Sequence, residues 1–351
     1  MRCDLTKQLR AGVAGAGSFG GHHARKYASL DGVTLTTVYD PDLARAEALA
    51  GGLDAQGVND LAALFERIDI LTVASPAHTH AAVALAALAA GKPVYVEKPI
   101  ATDKADADRI IEAAAQADLV LACGFQERVV SRAMGLLNVP ERPTFLEAVR
   151  RGPWSPRNTD VSCVLDLMVH DIDLAITLNP AEALAVRAEG RTTQGPFLDE
   201  VRCEVCLDGG ATFKLEASRI AEARERRMRI VYPSGEVEID FITRAFRNTT
   251  PFALDQAFTE TPAGRDPLGA SVAAFIAAVR GEAPRPSVTG EEAERALALA
   301  LAIEEAAGGL SPPRRFQISP WRLGAGARSA RRGRRWPRSA PGCGSRRHAA
   351  A

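Results

Sequence analysis

Apolar residues in the first third of the chain come in short, solid runs, each followed by a stretch with helical spacing. Residues 11–14 (continuing from Leu9), 33–39, 68–74, 94–96 and 119–123 read as buried strands. A run this short, apolar on both faces, suits a central strand of a covered sheet. Helices are predicted from the glycines after the first strand to about Ser29, and over 42–50, 79–90 and 102–117. Gly91 closes the third, and Thr102 caps the fourth with Asp103 in its first turn. Strands alternating with helices at this rhythm predict an α/β, doubly wound parallel sheet over residues 1–124.

Past Gly124 the pattern changes. A helix over 127–137 and a strand near 145–150 precede a long amphipathic helix over 161–178. Residues 183–189, 200–207, 211–218 and 226–232 then read as successive strands, with Asp208-Gly209-Gly210 and Pro233-Ser234-Gly235 as hairpin turns. Such a run predicts a largely antiparallel α+β domain over 125–310, closed by helices over 268–279 and 291–306. An antiparallel sheet can leave one face free, and a half-apolar free face would make a homodimer or homotetramer. From Ser311 the chain is Pro, Gly, Ser, Ala and Arg without period, so 311–351 reads as a disordered Arg-rich tail.

Composition changes this picture in two places. The net charge of zero hides nine arginines and no acid from Trp321 onward, leaving the rest of the chain with 34 basic against 43 acidic side chains. A body this acidic argues against a nucleic-acid partner, since duplex binding rests on phosphate neutralisation. Of six cysteines only Cys203 and Cys206 form a CxxC, inside a strand that points them to opposite faces, so no metal is expected. Free thiols, no signal-peptide pattern, and a longest apolar run (81–90) too short for a bilayer predict a cytoplasmic protein with no membrane partner.

Four groups of residues carry candidate chemistry. The 94–96 strand ends in Glu97-Lys98-Pro99, which sends an ammonium out at the carboxyl edge of the sheet, where open α/β sheets hold ligands. The proline restricts the lysine's backbone. A surface loop has the same appearance. Gly15-x-Gly17-x-x-Gly20 follows a strand and opens a helix, the setting of a dinucleotide fingerprint. Asp40 ends the second strand, where a carboxylate accepts ribose hydroxyls and repels a 2′-phosphate. No cation follows before Arg45, so NAD is expected over NADP. The same aspartate also starts the Asp40-Pro41 turn. Asp166 and His170 stand four apart on the 161–178 helix, so the carboxylate can orient the imidazole, or merely satisfy a core histidine.

Together the segments Ala14 to Ala24 (AGAGSFGGHHA), Glu97-Lys98-Pro99 and Leu165 to Asp173 (LDLMVHDID) resemble the Gfo/Idh/MocA oxidoreductases. The resemblance spans about residues 9 to 310. It implies a Rossmann domain followed by an α/β domain whose open sheet often serves oligomerisation. It implies a catalytic trio of Lys98, Asp166 and His170. It also implies a cofactor site formed by Gly15, Gly17, Ser18, Phe19, Gly20, Asp40, Glu97, Lys98 and Pro99, with Ser75, Pro76 and His80 along the nicotinamide. The chain departs from the family at Gln126-Glu127-Arg128-Val129-Val130, where many relatives carry an Arg-Phe-Asn-Pro type run. That departure leaves the substrate contacts there open. The stretch from Arg150 to His170 is similar to the branch that oxidises UDP-N-acetylglucosamine at its 3-hydroxyl. It implies substrate contacts at Arg151, Trp154 and Arg157, with Arg150, Arg151 and Arg157 facing a diphosphate; an exposed basic loop is the alternative. The expected activity is hydride transfer between a sugar or sugar-nucleotide hydroxyl and NAD. An NADP(H)-linked reductase of another small carbonyl or imine, and a non-catalytic nucleotide sensor, stay open.

Overall fold

A computed structural model describes residues 8–155 and 159–308. Arg157 and the 311–351 tail lie outside the described residues. The first sheet is built from β1 (Leu9–Ala14), α1 (Ser18–Ser29), β2 (Val33–Tyr39), α2 (Leu43–Gly51), β3 (Gln56–Val58), α3 (Leu61–Arg67), β4 (Ile70–Val73), α4 (His80–Ala89), β5 (Val94–Glu97), α5 (Lys104–Ala117) and β6 (Leu121–Gly124). All its ladders are parallel, in the order β3-β2-β1-β4-β5-β6. The strands β4, β5 and β6 are buried along their whole length, which is why they show as solid apolar runs. The apolar pattern reveals neither β3 nor α3, because each buries a single side chain, Val58 and Leu64. A period needs more than one buried position to be visible. The helix cap was nonetheless present: Asp60 accepts from the Ala62 and Ala63 amides.

The second half comprises α6 (Gln126–Ala133), β7 (Phe145–Arg151), α7 (Val169–Leu178), β8 (Ala183–Arg191), β9 (Glu200–Leu207), β10 (Thr212–Ser218), β11 (Glu225–Tyr232), β12 (Gly235–Asp240), β13 (Ala245–Asn248), α8 (Pro262–Arg265), α9 (Pro267–Val279) and α10 (Gly290–Ala306). The sheet order is β13-β12-β11-β7-β10-β9-β8, antiparallel except for one parallel ladder between β7 and β10. That pair is parallel because the chain returns to β7 only after a long excursion through α7, β8 and β9, not through a hairpin. Beyond the hairpin turn at Pro233-Ser234-Gly235 comes β12, with Val237 and Ile239 buried, which the four expected strands do not include.

The helix expected over 161–178 is not α-helical throughout. Val164–Met168 forms a π-helical turn that runs directly into the α-helix Val169–Leu178. The sheet face away from the helices carries cross-strand pairs such as Arg202–Glu216, Lys214–Glu204 and Arg229–Glu236, with the Phe145 ring under Lys214. No helix among the described residues is long and apolar enough to cross a membrane.

The last two helices tie the halves together. Val272, Phe275 and Ile276 of α9 pack on the first sheet with Leu9, Ala11 and Tyr95. Phe275 meets Tyr95 edge-on at 5.8 Å, and the Tyr95 and Ser271 hydroxyls are 3.0 Å apart. Thr289, at the cap of α10, bridges to Ala122 of β6. Phe275 is fully buried, so Phe275→Ala should cost about 3–5 kcal/mol in urea unfolding, transfer loss and cavity together.

Candidate active site

The site begins where β1 and β4 lie side by side and the strand order turns back. There the loops leaving their carboxyl ends open a crevice. Gly15 leaves β1 at φ +106°, and a Cβ on it would stand 2.6 Å from the Ala74 carbonyl oxygen in the loop after β4. Gly20 presses α1 against the same turn, where a Cβ would come within 1.7 Å of the Gly15 carbonyl. In front of Gly17, by contrast, nothing stands nearer than Arg45 at 4.0 Å. The helix α1 starts with no side-chain cap, so its first amides are open to an anion. Asp40 accepts the Ala16 amide at 2.9 Å and the Asp42 amide at 3.1 Å, with Arg45 3.9 Å away. An open cradle, an uncapped helix and a carboxylate beside the glycine turn fit a dinucleotide.

A cavity of about 740 Å³ runs from this cradle to the second half of the chain, a size suited to a cofactor and a small ligand. Gly15, Gly17, Ser18, Phe19, Asp40, Ser75, Pro76, His80, Glu97, Lys98, Pro99 and Asp166 all line it, joined by Thr159, Asp160 and Val161 from the far side. Gly20 is buried behind the turn. The Lys98–Pro99 peptide is cis. The Lys98 ammonium donates to the Asp166 carbonyl at 2.6 Å and to Asp166 Oδ1 at 3.0 Å, both side chains being almost out of solvent.

Two lining residues are committed elsewhere. His80 is buried with its ring nitrogens each 2.8 Å from a carbonyl, Ser75 on one side and Pro99 on the other. It thereby spans the two loops that flank the cavity, and burial pushes its pKa down. Glu97 meets His23 Nε2 at 2.6 Å, and Gln126 donates to it at 3.4 Å. Burial raises the Glu97 carboxyl, but the His23 hydrogen bond and the charges of His23, Lys98 and His170 outweigh it and leave it below its ordinary value.

His170 sits one turn past Asp166, 8 % exposed and edge-on to Phe125 at 5.9 Å. It is absent from the cavity lining, although Glu97, which does line the cavity, feels its charge. The expected orientation of its ring by Asp166 is corrected. The carboxylate beside Nδ1 is that of Glu127, with Oε2 at 2.8 Å, while Asp166 receives Lys98. Asp166 lies in the π-turn and His170 in the α-helix that follows it.

The arginine expectations change as well. Arg150 does not face a ligand: it is buried, with Nε and Nη2 each 2.9 Å from Asp171 and Nη1 2.9 Å from Glu127. Arg151 points to the other side of β7, paired with Glu216 at 2.9 Å and Glu225 at 3.5 Å. Trp154 is exposed and lies outside the cavity lining. Arg226, which the sequence reading passed over, stands opposite Arg150 in the β7–β11 ladder and so on the same, helix-covered face. No ion pair engages it among the described residues. Burial, then the charge of Arg150, holds its pKa below the ordinary value. Glu127 was also passed over; its only signal was an acid placed where relatives differ. Among the described residues no cluster of three His, Cys, Asp or Glu could hold a metal.

Residues 9–125 match the oxidoreductase family with an NAD-binding Rossmann fold, and residues 142–238 match the GFO/IDH/MocA C-terminal domain. The chain is 33% identical over 308 residues to UDP-N-acetylglucosamine 3-dehydrogenase from Acidithiobacillus ferrooxidans, covering 85% of this chain and 97% of that protein. A crystal structure of that enzyme superposes with a TM-score of 0.79 over 87% of this chain and 99% of the other, at 33% identity. Myo-inositol 2-dehydrogenase from Thermotoga maritima is 26% identical, covering 85% of this chain and 96% of that protein.

Proposed function

The chain belongs to the Gfo/Idh/MocA oxidoreductase family, and we propose that it moves hydride between the 3-hydroxyl carbon of UDP-N-acetylglucosamine and NAD. One contact carries this reading: Lys98, at the end of β5, reaches across to Asp166 at the wall of the cavity that continues from the glycine cradle. Bound NAD+ supplies the hydride acceptor. A carbinol that loses hydride must also lose its hydroxyl proton, so a base and a hydrogen-bond donor are needed at that oxygen. Lys98 has three N–H donors. Two are spent on Asp166, which aims the third at the substrate oxygen and balances the charge. His170 takes the proton, and in the reverse direction returns it.

The preference for NAD rests on Asp40. Each of its oxygens already holds one backbone amide and keeps a lone pair for a ribose hydroxyl, while its charge opposes a 2′-phosphate. The substrate is supported by the near full-length likeness to the Acidithiobacillus enzyme and by Arg226, a cation on the His170 side of the sheet that suits a diphosphate. The test is NADH formation from UDP-N-acetylglucosamine and NAD+, run beside NADP+ and myo-inositol. Turnover of myo-inositol with none of the sugar nucleotide would end the substrate proposal. Arg226→Ala should raise KM for the sugar nucleotide about tenfold, the loss of one charge-assisted contact, with kcat little changed.

A further inference from the structure

Beneath His170 lies a buried chain of charges that the proposed hydride transfer does not by itself explain. Asp171 holds the Arg150 fork through two 2.9 Å bonds, and the remaining arm of Arg150 donates to Glu127 Oε1 at 2.9 Å. The other oxygen of Glu127, Oε2, stands 2.8 Å from His170 Nδ1. The two atoms are in contact but not aligned as a hydrogen bond here, and among the described residues neither has a hydrogen-bond partner. We propose that Glu127 is the positioning residue that keeps the His170 proton on Nδ1, leaving the Nε2 lone pair for substrate, and that Arg150 and Asp171 hold Glu127 in place. This rests on the reading of His170 as the base.

The physical grounds are those of donor and acceptor counting. A neutral imidazole has one N–H and one lone pair, and an ionised carboxylate can only accept. Set against Nδ1, the carboxylate therefore selects the tautomer with its proton there. Arg150 donates to Oε1 at 2.9 Å, which favours the carboxylate form; burial alone would raise the carboxyl, but the charge of a protonated His170 and that of Arg150 carry it well below its usual range. The proton balance also closes. Glu127, Arg150 and Asp171 together carry one negative charge, which is neutralised when His170 accepts the substrate proton at Nε2.

The same network dictates what an isosteric change would do. In Glu127→Gln the amide oxygen is claimed by Arg150, which can only donate. Its NH2 then faces Nδ1, and the imidazole must present a lone pair to it. The tautomer inverts and Nε2 becomes the N–H, unable to accept a proton from the substrate.

The experiment uses the full chain labelled with 15N-histidine. Ring nitrogens of the six histidines are read by NMR at rising pH until they stop moving, and His170 is identified from its loss in His170→Gln. The expected result is an Nδ1–H ring in the wild type and an Nε2–H ring in Glu127→Gln. Glu127→Asp, which keeps a charge against Arg150, should keep the wild-type tautomer. An Nε2–H ring in the wild type, or no change in Glu127→Gln, overturns the proposal, and the first of these needs no variant to fold. Turnover is the second readout. A wrong tautomer should lower kcat by about 10³–10⁴-fold, with cofactor Kd and substrate KM within about threefold. A fall in affinity and stability together, with the tautomer unmoved, would make Glu127 a merely structural partner of Arg150. Inversion of the ring with kcat intact would uphold the effect of Glu127 and instead remove His170 from its role as base.

Discussion

Lys98→Ala is expected to lower kcat about 10³-fold while NADH binding stays within about threefold of wild type. On the proposed function the two readouts separate, because the adenosine half of the cofactor is assigned to the Gly15–Gly20 turn, α1 and Asp40, whereas the ammonium donates to Asp166. The lysine lines the other part of the cavity, where the proposed reaction would build charge on the substrate oxygen. Its removal also strips Asp166 of a counter-charge in a nearly dry site, so some loss of stability accompanies the loss of rate. Lys98→Met fills the same volume and serves as a second measurement of kcat. Near-normal turnover in either variant would remove Lys98 from the chemistry.

The second large effect lies in the glycine turn. Gly20→Ala places a methyl 1.7 Å from the Gly15 carbonyl, so α1 must back away from the strand that aims it. NADH affinity should fall at least about 100-fold, and stability by about 1–3 kcal/mol through overpacking. Gly17→Ala provides the contrast. Its methyl points into open space, so the apo protein should unfold at the wild-type urea concentration yet lose cofactor affinity, because the methyl stands where a pyrophosphate approaches. If Gly17→Ala binds NADH as wild type does, the phosphate is not held there.

Much of the first sheet was legible because its information is local. Val94 to Val96 are apolar on both faces and end in Lys-Pro, which places a cation at a sheet edge without reference to any distant residue. Gly15, Gly17 and Gly20 carry backbone requirements that hold wherever a strand turns into a helix around a phosphate. The exceptions, Gln56–Val58 and Leu61–Arg67, bury one side chain each and leave no period to read. In the second half the strands were legible from alternation, but alternation does not say which face is inward. Arg150 and Arg151 necessarily point opposite ways. Only packing shows that Arg150 goes in, against Asp171, and Arg151 goes out, against Glu216.

The same division runs through the site. From its residues alone the chain determined a strand–turn–helix cradle, a carboxylate at the end of the second strand and a lysine at a carboxyl edge, since backbone conformation and short-range period are settled within a few neighbours. The three-dimensional structure decided which charge meets which. Asp166, one helical turn from His170 on paper, was taken by Lys98 from the other half of the chain, and the imidazole turned to Glu127. Poorly solvated charges must pair with whatever opposite charge packing brings within reach. Which charges those are depends on contacts between Lys98, Glu127 and the 164–178 segment that no short stretch of sequence contains.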